Sequence, residues 1–250
     1  MSVLPSSESK VRPEDQGRTR LPHTVKRRQQ EQEPNVPLII CPVRPGENNE
    51  ELRYALRSWE KNLLLEDDLI LMTVGHKPNW LSPDVHIKGN RTDSMPLAVL
   101  DNILLASEIA VGLPFGEAIY MNDDFFCLDP VGKVMPVRRN VSLKEQLDMF
   151  PQGTSLWWPS SLRLTIEALA ELGHENPHSY EVHRPLPADP EKMVSALTPW
   201  HSLTAATVPQ WRTLYGVING DEATPVADVT VSPTTPAYGS PWVSTSDQSW

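Results

Sequence analysis

The sequence contains few cysteines. Cys41 and Cys127 are the only two in 250 residues, and neither belongs to a spacing typical of a metal site. This excludes a cysteine-based zinc site of the finger or ribbon type. Both thiols lie at the edges of apolar runs, where a small buried cysteine is the common finding. We therefore expect two buried thiols.

Basic residues and long apolar runs are also scarce. The chain has 22 Lys and Arg against 32 Asp and Glu, which gives a formal net charge of −10. Polynucleotide backbones are bound by clustered Lys and Arg, so this balance excludes a broad nucleic-acid-binding face. No stretch approaches the roughly 18 consecutive apolar residues of a membrane span, and the amino terminus has no apolar core of a signal peptide. We expect a cytoplasmic protein with no nucleic-acid partner and no membrane span.

The composition of the chain changes near residue 35. Residues 1–35 contain Pro, Ser, Gln and mixed charges with almost no large apolar residue, which predicts a disordered N-terminal leader. Hydrophobic residues make up 39% of the whole chain, enough for a sizeable core. We therefore predict one globular domain over residues 36–250.

Short apolar runs alternate with helical patterns in this domain. The run Val36-Pro-Leu-Ile-Ile-Cys-Pro-Val is almost fully apolar, as expected for a strand covered on both faces. This alternation favours an α/β fold with a mainly parallel central sheet flanked by helices. The patterns predict strands at residues 36–43, 69–74, 85–87 and 118–121, a strand-like stretch at 226–231, and helices at residues 51–62, 96–112, 162–172 and 190–197.

The most informative stretch is Asn122-Asp123-Asp124, which follows the predicted strand at residues 118–121. Adjacent carboxylates in a packed region repel each other and resist desolvation, so a chain keeps them there mostly when a cation or a polar substrate compensates their charge. Ligands bind at the carboxyl edge of the sheet in open α/β folds. A divalent metal that carries a diphosphate fits these residues, and a structural or solvated role is an equal alternative.

Single residues elsewhere carry further candidate chemistry. His183 has a side chain suited to a general base, and Arg212 has the planar fork that binds phosphate oxygens. Arg53 and Arg57 lie four residues apart and therefore on one face of the predicted helix. Asp247 lies in a Ser-Thr-Ser-Asp motif. Each has a structural alternative. His183 could be an ordinary hydrogen-bonded histidine, and Arg212 could pair with a carboxylate or stack on an indole. Arg53 and Arg57 could form a solvated arginine stripe, and Asp247 could be a turn or cap residue.

Three sequence elements follow one another at a recognisable spacing. Residues 49–62 read N-E-E-L-R-Y-A-L-R-S-W-E-K-N, residues 74–81 read V-G-H-K-P-N-W-L, and residues 120–126 read Y-M-N-D-D-F-F. They resemble the "NELRYSLRSIEK", "T-x-x-Q-x-P-x-W-L" and "Y-x-NDD-x-F" motifs of the Stealth family of sugar-phosphate and sugar transferases. Residues 181–185 and 212–216 are similar to the third and fourth conserved regions of that family. The first strand departs from the family pattern because it has no acidic residue.

The resemblance covers residues 36–250. Compact glycosyltransferases of actinobacterial phages in this family also carry Ser-Thr-Ser-Asp near their C-termini. The resemblance implies a nucleotide-sugar transferase architecture of the GT-A or Rossmann-like type. It further implies a metal-dependent transferase that uses a nucleotide-sugar donor and transfers the glycosyl group to a hydroxyl of a protein or glycan acceptor. For a phage-encoded enzyme the compartment is the host cytoplasm, and virion proteins are candidate acceptors.

The resemblance and the residue chemistry together assign expected roles. Asp123 and Asp124 are expected to hold Mg²⁺ or Mn²⁺, since both ions prefer hard oxygen ligands. Catalysis is expected from His183 as the base, from Arg212 as a phosphate clamp, and from Asp124. The residues expected to bind the donor are Arg44, Asn49, Arg53, Arg57, Asn122, Asp123 and Asp247.

Several chemistries fit the same residues. Attack at the anomeric carbon releases nucleoside diphosphate, whereas attack at the phosphorus next to the sugar transfers sugar-1-phosphate and releases nucleoside monophosphate. A non-catalytic nucleotide-sugar-binding module is a further alternative. A metal-dependent phosphohydrolase is another, although such sites usually collect more carboxylates and histidines. An acceptor-sugar platform is expected from a set of tryptophans, with core packing as the alternative for at least half of them: Trp157, Trp158, Trp200 and Trp211.

Overall fold

The structure is a computed structural model that describes residues 36–65, 69–89, 94–153, 156–200, 207–220, 222–228, 230–231 and 239–245. The leader predicted at residues 1–35 lies outside the described residues. Those described all belong to one compact unit, Pro34–Trp250. Within them, no helix combines the length and the apolar character that crossing a bilayer requires.

Strands and helices alternate along the first half of the chain, with bounds within two residues of those predicted up to residue 120. In chain order, the elements are β1 (Leu38–Val43), α1 (Glu50–Asn62), β2 (Ile70–Gly75), β3 (Val85–Lys88), α2 (Met95–Val111), β4 (Ala118–Tyr120), β5 (Phe125–Cys127), β6 (Val137–Arg139), α3 (Leu143–Asp148), α4 (Trp157–Glu171), β7 (Leu186–Ala188), α5 (Pro190–Leu197), a 3-10 helix (Thr198–Trp200), α6 (Trp211–Ile218), β8 (Thr224–Val226), β9 (Thr230–Val231) and β10 (Trp242–Thr245).

The central sheet has five strands in the order β3-β2-β1-β4-β7. β1 runs parallel to both of its neighbours, with Leu38 opposite Ile70 in β2 and Ala118 in β4. β3 extends the parallel pairing, and among these five strands only β7, at the edge, runs antiparallel. These observations confirm the predicted α/β fold with a mainly parallel sheet, an arrangement compatible with a Rossmann-like fold.

β1 is the centre of the core. Leu38 and Ile40 contribute to the hydrophobic cluster on one face of the sheet, whereas Ile39, Cys41 and Val43 contribute to the cluster on the other. All five are at most 3% exposed. This two-sided burial explains the continuous apolar run in the sequence. Both Cys41 and the second cysteine are buried and form no disulfide, as predicted.

Helices cover both faces of this sheet. α1 packs on the face of Ile39 through Leu52 and Trp59, whereas α2 packs on the face of Leu38 through Leu100. Helices α4, α5 and α6 pack on the same side as α2. α1 connects β1 to β2, and α2 connects β3 back across the sheet to β4. Right-handed crossovers that run in opposite directions place their helices on opposite faces, which is the arrangement seen here.

The direction of winding reverses between β1 and β4. From β1 the chain moves outward to β2 and β3, and it then returns to β4 on the other side of β1. At such a switch point the loops that leave the two strands diverge, and a crevice opens at the carboxyl edge of the sheet. Arg44 follows β1, whereas Asn122, Asp123 and Asp124 follow β4. The acidic stretch therefore lies at the switch point.

A second sheet, β5-β10-β9, lies on the α1 side of the core. β10 occupies its centre, antiparallel to β5 and parallel to β9. The Trp59 indole N–H donates to the Phe125 carbonyl at 2.6 Å, and the Asn62 amide donates to the Cys127 carbonyl at 2.6 Å, so α1 is attached to β5. Through its pairing with β5, β10 lies beside the strand that begins directly after Asp124.

Later elements depart from the predictions. The helix predicted at residues 162–172 begins earlier, at Trp157, because Pro159 lies in its first turn, where a missing amide N–H is tolerated. The prediction of one continuous strand at residues 226–231 is wrong. The chain there forms the separate strands β8 and β9, since Asp228 between them is turned toward His183. Short elements with no predicted counterpart are β5, β6, β7, β10, α3, α6 and the 3-10 helix.

Gly216 in α6 lies against the buried ring of Tyr180. A Cβ at position 216 would stand 2.4 Å from Tyr180 Cδ1, which is closer than side chains can pack. We expect Gly216→Ala to lower the free energy of unfolding by about 1 to 3 kcal/mol, the usual effect of overpacking. Denaturant unfolding would measure this, with Gly112→Ala as the matched control, since that Cβ would meet nothing nearer than 3.5 Å. Equal midpoints for the two variants would contradict the prediction.

Candidate functional site

The acidic stretch forms a tight turn between β4 and β5. Asp123 and Asp124 are 6% and 9% exposed, so both carboxylates are largely withdrawn from water. The Met121 N–H donates to a β1 carbonyl at 2.9 Å and extends the β1–β4 pairing up to the residue before Asn122. The chain then turns, and the Phe125 N–H donates to the Asn122 carbonyl at 3.3 Å. We call residues 122–124 the acidic turn.

Arg44, the first residue after β1, is the main partner of Asp123. Its backbone N–H donates to Asp123 Oδ2 at 3.0 Å, and its Nε donates to Oδ1 at 3.1 Å. Its Nη2 donates to Glu51 Oε2 at 2.6 Å, so one guanidinium bridges two carboxylates. The Asn49 side-chain amide donates to the Arg44 carbonyl at 2.9 Å and fixes the loop between β1 and α1. Asp123 is therefore neutralised from the β1 side of the crevice.

Asp124 is held from β10. The Ser244 hydroxyl donates to Asp124 Oδ2, and the neighbouring Thr245 hydroxyl donates to Glu51 Oε1. Within the described part of the chain, no group donates a hydrogen bond to Asp124 Oδ1. Among the carboxylate oxygens of the acidic turn, Oδ1 of Asp124 is therefore the one that accepts no hydrogen bond from the described residues, and its lone pairs suit an added ligand.

Arg212, which is 2% exposed, lies behind the acidic turn. Its Nη2 donates to Asn122 Oδ1 at 3.1 Å, and its Nη1 donates to the Arg184 carbonyl at 2.7 Å. The guanidinium carbon lies 4.7 Å from the ring centroid of Trp211 and 5.2 Å from that of Phe125. Cation–π contacts of this kind stabilise a desolvated guanidinium. Arg212 therefore orients Asn122 and joins the acidic turn to the segment before β7.

His183 is paired with an aspartate from the connection between β8 and β9. Its Nδ1 lies 2.7 Å from Asp228 Oδ2, and its backbone N–H donates to Asp228 Oδ1 at 2.8 Å. Arg139 Nη2 also donates to Asp228 Oδ2, at 2.6 Å. The His183 imidazole is 40% exposed, whereas the Asp228 carboxylate is 9% exposed. The aspartate is thus fixed inside the protein, and the histidine extends from it toward solvent.

Burial makes both carboxylates of the acidic turn harder to ionise. It raises the pKa of Asp123, although the charge and hydrogen bonds of Arg44 oppose this. Burial also raises the pKa of Asp124, and the adjacent charge of Asp123 raises it further against the opposing Ser244 hydrogen bond. A cation beside Asp124 would offset both the desolvation and the repulsion.

The pKa of His183 is shifted upward. Burial alone would lower it, but the hydrogen bond and charge of Asp228 and the charge of Asp124 outweigh burial. The pKa of Asp228 is lowered, since His183 and Arg139 outweigh the burial that would raise it. His183 and Asp124 therefore lie within electrostatic reach of each other, which links the acidic turn to the histidine pair.

Most of the residues predicted for the site lie at this crevice, whereas others lie apart or outside the described residues. Asp247 lies outside the described residues. Hydrogen bonds, chain adjacency or charge interactions connect one set of predicted residues: Arg44, Asn49, Asn122, Asp123, Asp124, His183 and Arg212.

Arg53 and Arg57 lie on a different part of α1. Arg53 Nη1 donates to Glu50 Oε1 at 3.0 Å, and its guanidinium carbon is 4.8 Å from the centroid of the Trp80 ring. Arg57 is exposed, with its guanidinium carbon 5.7 Å from the Tyr54 ring centroid. No contact among the described residues joins either arginine to the acidic turn. Their surroundings match the solvated arginine stripe that was the structural alternative, and the aromatic contacts of the two guanidinium groups were not predicted.

Four residues of the site have no counterpart in the sequence predictions: Glu51, Arg139, Asp228 and Ser244. Asp228 and Ser244 carried a signal, because the first is a lone charge in the apolar stretch at residues 226–231 and the second belongs to the Ser-Thr-Ser-Asp motif. Glu51 and Arg139 carried none. They read as ordinary charges at a helix start and in a short strand, and their partners come from distant segments.

The four tryptophans predicted as a sugar platform divide into core and surface. Trp211 is 8% exposed, with its ring centroid 5.9 Å from that of Tyr120. Trp158 and Trp200 are partly buried against the same core. Trp157 is 50% exposed and meets Trp158 edge-on, with centroids 5.2 Å apart. Core packing therefore explains three of the four, and Trp157 is the one with a largely open ring.

A divalent metal at the acidic turn would have few protein ligands. Among the described residues, no group of three or more His, Cys, Asp or Glu side chains could hold a metal ion. Arg44 already contacts both oxygens of Asp123, whereas Asp124 retains Oδ1. Mg²⁺ usually binds one or two carboxylates and completes its octahedron with water and substrate phosphates. These residues therefore fit a substrate-bridged Mg²⁺ or Mn²⁺, and not a metal held by protein alone.

No protein-family model matches the chain, and a search of curated protein sequences returns no match either. The fold alone does not define an activity, because parallel α/β sheets host many unrelated chemistries. A function is therefore inferred from the chemistry of the acidic turn and of the His183–Asp228 pair.

Proposed function

We propose that the protein is a metal-dependent transferase of the Stealth type, which moves a glycosyl group from a nucleotide-sugar donor to a hydroxyl of a protein or glycan. One observation carries the proposal. Two adjacent buried carboxylates, Asp123 and Asp124, lie at the switch point of a parallel sheet, with the His183–Asp228 pair within electrostatic reach. That position is where nucleotides bind in doubly wound folds. The carboxylates offer hard oxygen ligands, and the histidine offers a base.

The donor diphosphate would lie across the carboxyl ends of β1 and β4. Asp124 would hold Mg²⁺ or Mn²⁺ through Oδ1, with Asp123 beside it. When bound, the ion offsets negative charge that grows on the leaving diphosphate. Arg44 keeps Asp123 in place and adds positive charge at the same edge. Asn122, held by Arg212 at 3.1 Å, would orient the donor sugar.

The acceptor hydroxyl would lose its proton to His183. The oxygen then forms a bond to the anomeric carbon, and the bond from that carbon to the phosphate oxygen breaks, so nucleoside diphosphate leaves with the electron pair. The raised pKa of His183 makes its neutral form a stronger base than an ordinary imidazole. Arg212 is too deeply buried for a wide phosphate contact and would act through Asn122 and through its charge.

A donor panel tests this proposal. Purified protein would be incubated with individual nucleotide sugars and Mn²⁺ or Mg²⁺, and nucleoside mono- and diphosphate would be resolved chromatographically. We expect release of nucleoside diphosphate from a small subset of donors, with complete loss of release in EDTA and recovery when the metal is restored. Activity that persists in EDTA would overturn the metal-dependent mechanism.

Two other outcomes would redirect the assignment. Release of nucleoside monophosphate would mean that the acceptor attacks phosphorus, and the protein would then transfer sugar-1-phosphate from the same site. Donor binding with release of neither product, in the presence of a broad set of acceptors, would indicate a nucleotide-sugar-binding module. One observation favours the binding module. Arg44 Nε lies 3.1 Å from Asp123 Oδ1, so part of the negative charge of the acidic turn is compensated without a metal.

A further inference from the structure

Asp228 makes two hydrogen bonds to the same residue. One carboxylate oxygen accepts from the His183 backbone N–H at 2.8 Å, and the other lies 2.7 Å from Nδ1 of its ring. The first bond fixes the position of the histidine backbone, and the second fixes the ring about its side-chain torsions. Asp228 therefore fixes both the position of the His183 backbone and the orientation of the imidazole ring.

The contact with the ring also determines where its proton resides. An ionised carboxylate has no hydrogen to donate, so Nδ1 must carry the proton that the hydrogen bond requires. A neutral imidazole has one N–H and one lone pair, and the lone pair is then on Nε2. Asp228 is the partner that keeps this arrangement, because its pKa is lowered and it remains ionised at neutral pH.

Asp228 is itself held by Arg139. The Nη2 of Arg139 donates to Asp228 Oδ2 at 2.6 Å, and the Nε donates to the Glu181 carbonyl at 2.8 Å. The Arg139 backbone N–H donates to the Ser179 carbonyl at 2.8 Å. One arginine in β6 thus fixes the aspartate and the chain that leads to His183. Asp228 contacts the imidazole directly, and Arg139 holds both Asp228 and the segment that carries His183.

We propose that Asp228 is a positioning residue that selects the Nδ1–H form of His183 and so presents Nε2 as the atom that takes the proton from the acceptor hydroxyl. The inference rests on the proposed function, in which His183 is the general base. Asp228 itself touches neither donor nor acceptor in this scheme. Its contribution is a correctly oriented lone pair, which a positioned general base needs for its usual effect of about 10² to 10⁴-fold on rate.

The test combines kinetics with a spectroscopic measurement. Asp228→Asn keeps the shape of the side chain but can donate through its amide, which favours the opposite tautomer of His183. We expect kcat to fall by about 10²-fold, with the donor KM within about twofold. Glu222→Gln, an exposed acid six residues earlier, is the matched control and should leave both constants unchanged. A fall in kcat by the same factor in Asp228→Asn and Glu222→Gln would overturn the proposal.

The tautomer can be measured without any turnover. Protein labelled with ¹⁵N-histidine would show, for the neutral ring, a protonated Nδ1 and an unprotonated Nε2 at His183, with the resonances assigned by loss in His183→Gln. We expect Asp228→Asn to shift this ring toward the Nε2–H form. A wild-type ring that is already Nε2–H, or one whose tautomer is the same in Asp228→Asn, would overturn the proposal.

This second measurement separates two kinds of failure. If no donor yields nucleotide with the wild-type protein, the proposed function fails, yet the ring tautomer still decides whether Asp228 orients His183. The wild-type spectrum also remains decisive if Asp228→Asn does not fold, because it requires no substitution at that position.

Discussion

Replacing Asp124 with asparagine is expected to abolish nucleotide release and at the same time to make the protein more stable at neutral pH. The variant loses the charge that would hold the metal, so we expect kcat/KM to fall by at least about 10³-fold, as when a main electrostatic element of a site is removed. The gain in stability has a separate cause. Burial and the charge of Asp123 raise the pKa of Asp124, so the folded protein holds the ionised form at a cost that asparagine avoids.

The pH dependence of that gain has a defined sign. Because the pKa of Asp124 is higher in the folded than in the unfolded chain, its wild-type stability contribution is complete in acid and is lost as pH rises through the folded pKa. The advantage of Asp124→Asn should therefore be present at pH 7 and vanish below about pH 4. Melting curves in EDTA across this range would measure it.

A matched substitution and a metal titration complete the test. Asp129→Asn changes an exposed carboxylate five residues away and should alter neither activity nor melting temperature. Added Mg²⁺ or Mn²⁺ should stabilise the wild type by about 2.7 kcal/mol at a hundredfold excess over Kd and so raise its melting temperature. The same addition should leave the melting temperature of Asp124→Asn unchanged. Equal metal responses in both proteins would mean that Asp124 is not a ligand.

Arg212→Met is expected to have the largest effect on stability, a loss of about 3 to 5 kcal/mol in the free energy of unfolding. Methionine has a similar length but no donors, so the Asn122 side-chain oxygen and the Arg184 carbonyl would lose their partners. The carboxylate of Glu181 would lose the charge that opposes the rise of its pKa by burial. Buried acceptors and charges without partners account for the size of the effect.

Denaturant unfolding would measure this loss, with Arg57→Met as the control. Arg57 is exposed, with an aromatic contact to Tyr54, and its replacement should change stability by less than about 0.5 kcal/mol. Arg212→Lys should also destabilise the protein, because an ammonium group cannot span Asn122 and Arg184 as a planar fork does. Wild-type stability in Arg212→Met would show that the buried guanidinium is dispensable for the fold.

The first half of the fold is predictable because its patterns are local. β1 is buried on both faces, and this appears in the sequence as an uninterrupted apolar run from Leu38 to Val43. The amphipathic repeat of α1 shows equally clearly in Leu52, Ala55 and Trp59. The later elements are short, and strands of three residues such as β6 and β7 are too brief for a period of two to be recognised.

The site is predictable only in part, for a related reason. Two carboxylates after a buried strand are conspicuous in any sequence, so Asp123 and Asp124 could be singled out without a structure. Asp228 lies 45 residues after His183. No local pattern connects them, since their contact depends on how β6, β8 and the segment before β7 pack together. The burial of Arg212 likewise depends on tertiary packing and is invisible in its neighbouring residues.

The position of β10 has a consequence for biosynthesis. Ser244 follows its partner Asp124 by 120 residues, and Thr245 follows Glu51 by 194. At translation rates of 5 to 20 residues per second, about 6 to 24 s separate the emergence of Asp124 from that of Ser244.

During that interval the nascent chain can pair β1 with β4. β5 still has no neighbouring strand, and Asp124 has no hydroxyl to hold it. The Asp124 side of the crevice reaches its final geometry only after β10 has inserted between β5 and β9. If the protein is the transferase proposed above, synthesis itself delays the appearance of activity until residues 242–245 have left the ribosome.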